Sequence, residues 1–428
     1  MVGSGYYTSI YPGIFQPWTT LRGCDTIKKM TNDTSIYLHI PFCLHRCAYC
    51  DFNTYAGQDR FREAYVEALC EEIRLVAQAS PEPIQAHTIF FGGGTPSLLD
   101  AGQMEKILQA IHQNFSLTIK AEISLEANPG TVSLDYLRDL HALGFNRISL
   151  GMQSAHPDDL RLLERQHTYL DVIHAVAWAR QAGFDNLNLD LMFGLPHQTF
   201  ERWEQTLNLA LGLNPEHLSL YALTLEHGTP FQRWTDRGLI PTADDDLAAD
   251  MYEAARDRLG QAGYEHYEIS NWARKSDRRG SWKCLHNLQY WRDLPYLGFG
   301  AGAHGYAGGI RTANIPGIQA YIKRLQGSNP NHFPASPAAI TATPIDLFTE
   351  AQEMMMVGLR LVDEGVSSRV FEKRIGQSLG SLFGKEIGRL VESGLLEWVG
   401  LDDRRLRLTR RGQLLGNQVF MQFVGEER

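Results

Sequence analysis

A chain of 428 residues, 43% of them apolar, is long enough to fill one large core and a smaller one. A formal charge of -9 gives no basic footprint, so composition argues against nucleic acid as a partner. No run reaches the roughly 18 apolar residues of a spanning helix. The first 35 residues lack the basic start and continuous apolar stretch of a secretory leader, and read as a disordered, dispensable extension.

In chain order, short apolar runs alternate with helical patterns. The runs are SIYLHI from Ser35, HTIFF from His87, AEISLEA from Ala121, NRISLGM from Asn146, NLNLDLMF from Asn186 and HLSLYAL from His217. Each has strand length and strand-forming side chains. Between them, segments such as FREAYVEALCEEIRLV repeat apolar residues at three and four positions, the spacing of amphipathic helices. Six such units predict an α/β fold with a parallel sheet, a partial (β/α)6 TIM-like barrel. The unusual residues fall at or near the ends of these runs: the cysteines after the first, Gly92-Gly93-Gly94-Thr95-Pro96 after the second, Glu126-Ala127-Asn128-Pro129 after the third, then Gln153, Asp190 and Tyr221. In a (β/α) barrel that rim is where active sites assemble.

Beyond the sixth run come a helix, LAADMYEAARDRLGQAG, and a Gly- and aromatic-rich stretch from Tyr264 to Tyr306. The barrel and its extension are expected to span 36–310. Residues 311–345, rich in Pro, Ala and Thr, read as a linker. The remainder, 346–428, suggests a smaller α+β domain of winged-helix-like form, or else a helical cap on the barrel. Met354, Met355 and Met356 follow a helical pattern and are expected to fill its core.

The six cysteines are Cys24, Cys43, Cys47, Cys50, Cys70 and Cys284, and three of them occupy eight positions. Such crowding points to metal and a reducing compartment rather than a disulfide framework, hence to the cytoplasm. Cys43, Cys47 and Cys50 are close enough to hold one compact metal centre. Three thiolates leave one iron of a [4Fe-4S] cluster without a protein ligand. On spacing alone, zinc with His45, His39 or a distant cysteine as fourth ligand stays open.

C-x3-C-x2-C with an aromatic residue, Tyr49, before its last cysteine resembles the radical-SAM signature, and from Ile36 onward the chain is similar to the coproporphyrinogen-oxidase-like family. The resemblance implies a [4Fe-4S] cluster on Cys43, Cys47 and Cys50. It also implies that S-adenosylmethionine (SAM) chelates the open iron through its amino and carboxylate groups and is cleaved to a 5′-deoxyadenosyl radical. Tyr37, Tyr49, Gly93, Gly94, Thr95, Glu126, Gln153, Arg165, Asp190 and Ala222 match positions that the family uses around SAM.

Within that family, the oxygen-independent oxidases carry a fourth cysteine two residues after the third. Here Cys50 is followed by Asp51 and Phe52. C-x2-C-D-F preceded by HIPFC resembles the HemW-type haem chaperones instead. So does His286-Asn287-Leu288-Gln289-Tyr290-Trp291, which matches their H-N-x-x-Y-W haem motif and offers an imidazole beside aromatic surfaces. Cys284 is an alternative ligand. The resemblance implies a protein that binds haem and hands it to acceptor proteins, such as respiratory or iron-storage haemoproteins, with an electron donor as a further partner. It leaves open whether SAM cleavage is needed and whether the protein is a monomer or a dimer. The rival within the family is coproporphyrinogen III oxidation by radical decarboxylation.

Overall fold

The computed structural model describes residues 34–275 and 281–425. Most of the expected N-terminal extension, with Cys24, lies outside the described residues. Thr34 and Ser35, counted in that extension, are instead buried in the first strand.

Six parallel strands run in the expected order: β1 (Thr34–Ile40), β2 (Gln85–Gly93), β3 (Ser116–Ala127), β4 (Arg147–Gln153), β5 (Leu187–Phe193) and β6 (His217–Ala222). The helices between them are α1 (Arg62–Ala79), α2 (Ala101–Asn114), α3 (Leu134–Ala142), α4 (Pro157–Leu162), α5 (Tyr169–Ala182) and α6 (Phe200–Gly212). Their starts are written in the sequence. Asp100 with Gln103, and Thr168 with Asp171, form reciprocal capping boxes, and Ser133 and Thr199 cap α3 and α6. Strand alternation sorts the side chains: Ile36, Leu38 and Ile40 of β1 join the main apolar core, while Tyr37 and His39 take the other face. That second face is unusually polar, with Thr88, Glu122, Ser149, Asn188, Asp190 and His217 all buried. The molecule is thus a partial (β/α)6 barrel with a polar lumen.

Both sheet edges are extended. β7 (Tyr264–Glu268) and β8 (Asn271–Arg274) add antiparallel beyond β6. At the other edge β9 (Tyr296–Phe299) lies parallel to β1, followed by β10 (His304–Ala307), β11 (Ile310–Asn314) and β12 (Ala339–Pro344), making a twelve-stranded sheet. Three helices lie among these additions: α7 (Pro230–Asp236), α8 (Asp245–Gln261) and α9 (Leu285–Trp291).

The stretch 311–345 is therefore not a linker. It carries β11, a helix α10 (Ile318–Leu325) and β12. Its anchor is Glu72 of α1, which is fully buried and accepts hydrogen bonds from Asn314 Nδ2 (2.7 Å), Tyr321 Oη (2.6 Å), Ser336 Oγ (2.6 Å) and the Gly300 amide (2.8 Å). A buried carboxylate needs such partners, and it draws them from the Pro- and Ala-rich segment.

The C-terminal unit has its own core. It comprises α11 (Leu347–Gly358), α12 (Ser368–Ile375), α13 (Leu379–Glu392) and the antiparallel strands β13 (Val366–Ser367), β14 (Leu396–Val399) and β15 (Arg405–Leu408). Met354 and Met355 are buried in it among Phe371, Leu390 and Leu406, with Met356 packed against it. No helix among the described residues is long and apolar enough to cross a membrane.

Candidate functional site

At the C-terminal rim of the barrel, the loop after β1 meets the ends of β2, β3, β4 and β5 around a solvent-open cleft of about 660 Å³. All the expected cluster and SAM residues line it except Tyr37 and Ala222. Tyr37 lies below, partly buried beside Glu126, and its hydroxyl is hydrogen-bonded to His39 Nδ1 at 3.0 Å. Ala222 is exposed at the end of β6, away from the cleft.

The glycine run is built around the cysteine loop. Gly94 N–H donates to Ile40 O and Thr95 N–H to Phe42 O, both at 2.8 Å. A β-carbon on Gly94 would sit 2.6 Å from Phe42 O and 3.0 Å from Cys43 Sγ; one on Gly93, at φ +110°, would strike the His39 ring. No side chain is tolerated at either position.

Cys43, Cys47 and Cys50 are partly buried free thiols. Burial, reinforced by the neighbouring sulfurs, pushes the Cys50 thiol up to about 12 and raises that of Cys43. A cationic centre is what would convert them to thiolates. No three His, Cys, Asp or Glu side chains among the described residues are arranged to hold a single metal ion. A cluster, which sets each thiolate on a different iron, fits this donor set better than zinc.

The opposite wall is polar. Arg165 Nη1 donates to Cys47 Sγ at 3.8 Å and Nη2 to Gly151 O at 3.1 Å, while Nη2 also donates to Asn128 Oδ1. Tyr49 lies against the same guanidinium. Asp190 accepts from Ser149 Oγ and Asn188 Nδ2, both at 2.9 Å. Glu126 accepts from Gly93 N–H at 3.3 Å; burial and nearby Asp190 raise its carboxyl to about 7. Two buried polar atoms of this wall, Gln153 Oε1 and Arg165 Nε, find no hydrogen-bond partner. Gln153 also holds a positive φ of 62°. Buried orphans and a strained backbone around a cleft mark a place for a polar ligand. An amino acid carrying a nucleoside suits the mixture of carboxylate, amide and guanidinium.

The H-N-x-x-Y-W residues lie elsewhere. They form α9, which packs against β2 with His286 stacked on Phe90 at a 4.9 Å ring separation. Glu122 of β3 caps this helix, accepting from the Leu285 and His286 amides at 3.1 and 3.2 Å. His286 is 1% exposed, with Nδ1 hydrogen-bonded to Thr88 Oγ1 at 2.8 Å and Nε2 to Tyr290 Oη at 3.0 Å. Burial, with smaller contributions from His87 and Arg147, lowers it to about 3, so it is neutral at ordinary pH. Asn287 and Trp291 are buried as well, and Arg360 stacks on the Trp291 ring at 4.2 Å. Cys284, the alternative ligand, is fully buried against Glu122. In this fold α9 closes the floor of the barrel lumen and takes no part in lining the rim cleft.

The radical SAM superfamily model matches residues 37–210, and the HemN C-terminal domain model matches 345–415. The heme chaperone HemW of Bacillus subtilis is 38% identical over 394 residues, covering 92% of this chain and 99% of that protein. This chain belongs to the HemW family. The mitochondrial radical S-adenosyl methionine domain-containing protein 1 of Danio rerio is 32% identical, covering 92% of this chain and 88% of that protein. The solved structure of coproporphyrinogen III oxidase (HemN) from Escherichia coli, a radical SAM enzyme, superposes with a TM-score of 0.77 at 25% identity, covering 91% of this chain and 90% of that one.

Asn128, named from the sequence only as part of a strand-end motif, and Ser149 and Gly151, to which sequence reasoning assigned no role, also line the cleft. Asn128 stands two residues after Glu126 at the end of the same strand, so strand alternation puts both on the lumen side; that was the signal available.

Proposed function

We propose that this HemW-family chain holds a [4Fe-4S] cluster on Cys43, Cys47 and Cys50, binds SAM in the rim cleft, and binds haem for delivery to acceptor proteins. What carries the reading is the cleft: three thiols and no fourth among the described residues, with Phe52 where the oxidases have a cysteine, facing a wall of orphaned polar atoms. The HemW relatives supply the haem assignment. When bound, the cluster would supply the electron that cleaves SAM. The chain's own residues divide the ligand between them. Arg165 meets a carboxylate, Glu126 and Asp190 meet an ammonium or ribose hydroxyls, and Gly93 and Gly94 let the backbone approach.

His286 is the proposed haem contact with Asn287, Tyr290 and Trp291. Tyr290 is only partly buried, so its displacement from Nε2 frees the ring nitrogen nearer the surface. The test is one anaerobic preparation assayed for iron and sulfide, SAM binding, haemin binding and transfer to an apo-haemoprotein, and coproporphyrinogen III turnover. Cluster, SAM binding and haem transfer without turnover support the proposal. Carbon dioxide release with a vinyl product would overturn it in favour of the oxidase, and zinc in place of iron and sulfide would overturn the cluster.

A further inference from the structure

One rim residue that the resemblance does not assign lies between two of the cysteine sulfurs. Asn128 ends β3 and is followed by Pro129, which biases it toward extended backbone; its φ and ψ are -86° and 137°. Its carbonyl accepts from the Thr131 amide at 2.9 Å and the Thr131 hydroxyl at 2.8 Å. The main chain being held, the side chain has one direction to take, into the cleft.

There it completes an unbroken chain of contacts. Arg165 Nη1 donates to Cys47 Sγ at 3.8 Å, and Nη2 donates to Asn128 Oδ1. Asn128 Nδ2 donates to Thr95 Oγ1 at 3.0 Å, and Thr95 Oγ1 donates to Cys43 Sγ at 3.7 Å. The polarity of this chain is forced from one end. A guanidinium can only donate, so the amide oxygen of Asn128 must face Arg165. The amide nitrogen must then face Thr95 and occupy an acceptor site of its hydroxyl. The threonine proton is left to point at the Cys43 sulfur.

We infer that Asn128 is a positioning residue for the cluster, aiming the Thr95 hydroxyl and the Arg165 guanidinium at Cys43 and Cys47 and so raising the cluster's reduction potential. Hydrogen bonds to cluster sulfurs favour the reduced, more negative state and are one of the protein's means of setting that potential. The inference rests on the cluster reading above.

The test is a double-mutant cycle read by EPR-monitored redox titration without SAM, on protein whose iron and sulfide have been measured. An aspartate at 128 accepts from both neighbours and turns the Thr95 proton away from Cys43. Asn128→Asp also adds charge, which acts equally with or without the hydroxyl. The shift to lower potential should therefore be larger with Thr95 than in a Thr95→Val background. The difference should be a roughly three- to tenfold change in the reduced-to-oxidised ratio at fixed potential, the worth of one hydrogen bond. Equal shifts in both backgrounds would overturn the inference. Thr95→Val alone should lower the potential and Thr95→Ser should leave it unchanged; a Thr95→Val protein titrating like the parent would overturn it even if Asn128→Asp fails to fold. Protein that holds no iron and sulfide at all would strike the cluster reading itself, a failure visible before any titration begins.

Discussion

The two ends of the barrel lumen, both built from the same six strands, are finished in opposite ways. At the rim, thiols and polar side chains surround an open cleft, and Gln153 and Arg165 each hold a buried atom with no partner. At the floor, Glu122, His286 and His217 have partners: the α9 amides for Glu122, Thr88 and Tyr290 for His286, Asn188 and Tyr267 for His217. A polar group that is buried and unpaired costs stability, so it persists where a ligand relieves the cost; a paired one needs no ligand. The rim is built to receive something. The floor is closed by these paired groups, although Arg147 Nε and Trp291 Nε1 are left without partners there as well, so the contrast lies in the open cleft and not in orphaned atoms alone.

The sharpest break between the ends should come from Cys47→Ser. It should abolish the iron–sulfur absorption of anaerobically purified protein while leaving the melting temperature within a few degrees of the parent. Iron content that survives would remove Cys47 from the ligand set. At the floor, Glu122→Ala should do the reverse, costing about 3 kcal/mol in denaturant unfolding without loss of iron, because it strips the cap from α9 and removes one of the carboxylates that offset the buried Arg147 charge.

A smaller effect separates closure of the floor from haem binding. Tyr290→Phe keeps the ring but removes the partner of His286 Nε2 and should tighten haemin binding by roughly two- to fivefold, about the worth of one net hydrogen bond, in a Soret titration. His286→Ala should weaken it, and haemin affinity indifferent to both changes would take α9 out of the haem site.

The smallest difference is one of sign with pH. Glu126 titrates near 7 in the fold, above its ordinary value, chiefly through burial. Its contribution is therefore complete at low pH and is lost as pH climbs from about 4.5 toward 7. His286 is lowered to about 3, again chiefly by burial, so its contribution is complete at neutral pH and is lost as pH falls below about 6.5. In thermal melts between pH 5 and 7, Glu126→Gln should improve relative to the parent as pH rises. His286→Gln should improve as pH falls. Parallel curves for both variants would mean that neither burial penalty operates.

Much of this was legible in the chain. The six apolar runs became the six parallel strands because period, length and β-branching agree locally, and eleven of the rim residues were named from strand ends, the cysteine spacing and, for Arg165, the family resemblance alone. The far edge was not legible. Strands such as His304–Ala307 and Ile310–Asn314 are short; they form a local hairpin across Gly308-Gly309, but the outer neighbour of Ile310–Asn314 is Ala339–Pro344, some thirty residues on and within the stretch that reads as a linker. The state of His286 was equally hidden, since nothing near it in sequence says that Thr88 and Phe90 cover it. Asn128 was placed at the rim but given no role, because an amide before a proline reads as a turn former until its neighbours across the cleft are known.

The anchoring of Glu72 has a practical corollary for anyone dissecting the molecule. A chain cut after 311 would keep this acid in the barrel wall while discarding Asn314, Tyr321 and Ser336, three of its four donors. Solvent would then have to flood the wall or a proton neutralise it. A cut after 344, just before the HemN C-terminal match begins, leaves that set whole. The seam along which the protein separates therefore lies some thirty residues beyond the point where its composition first turns loop-like.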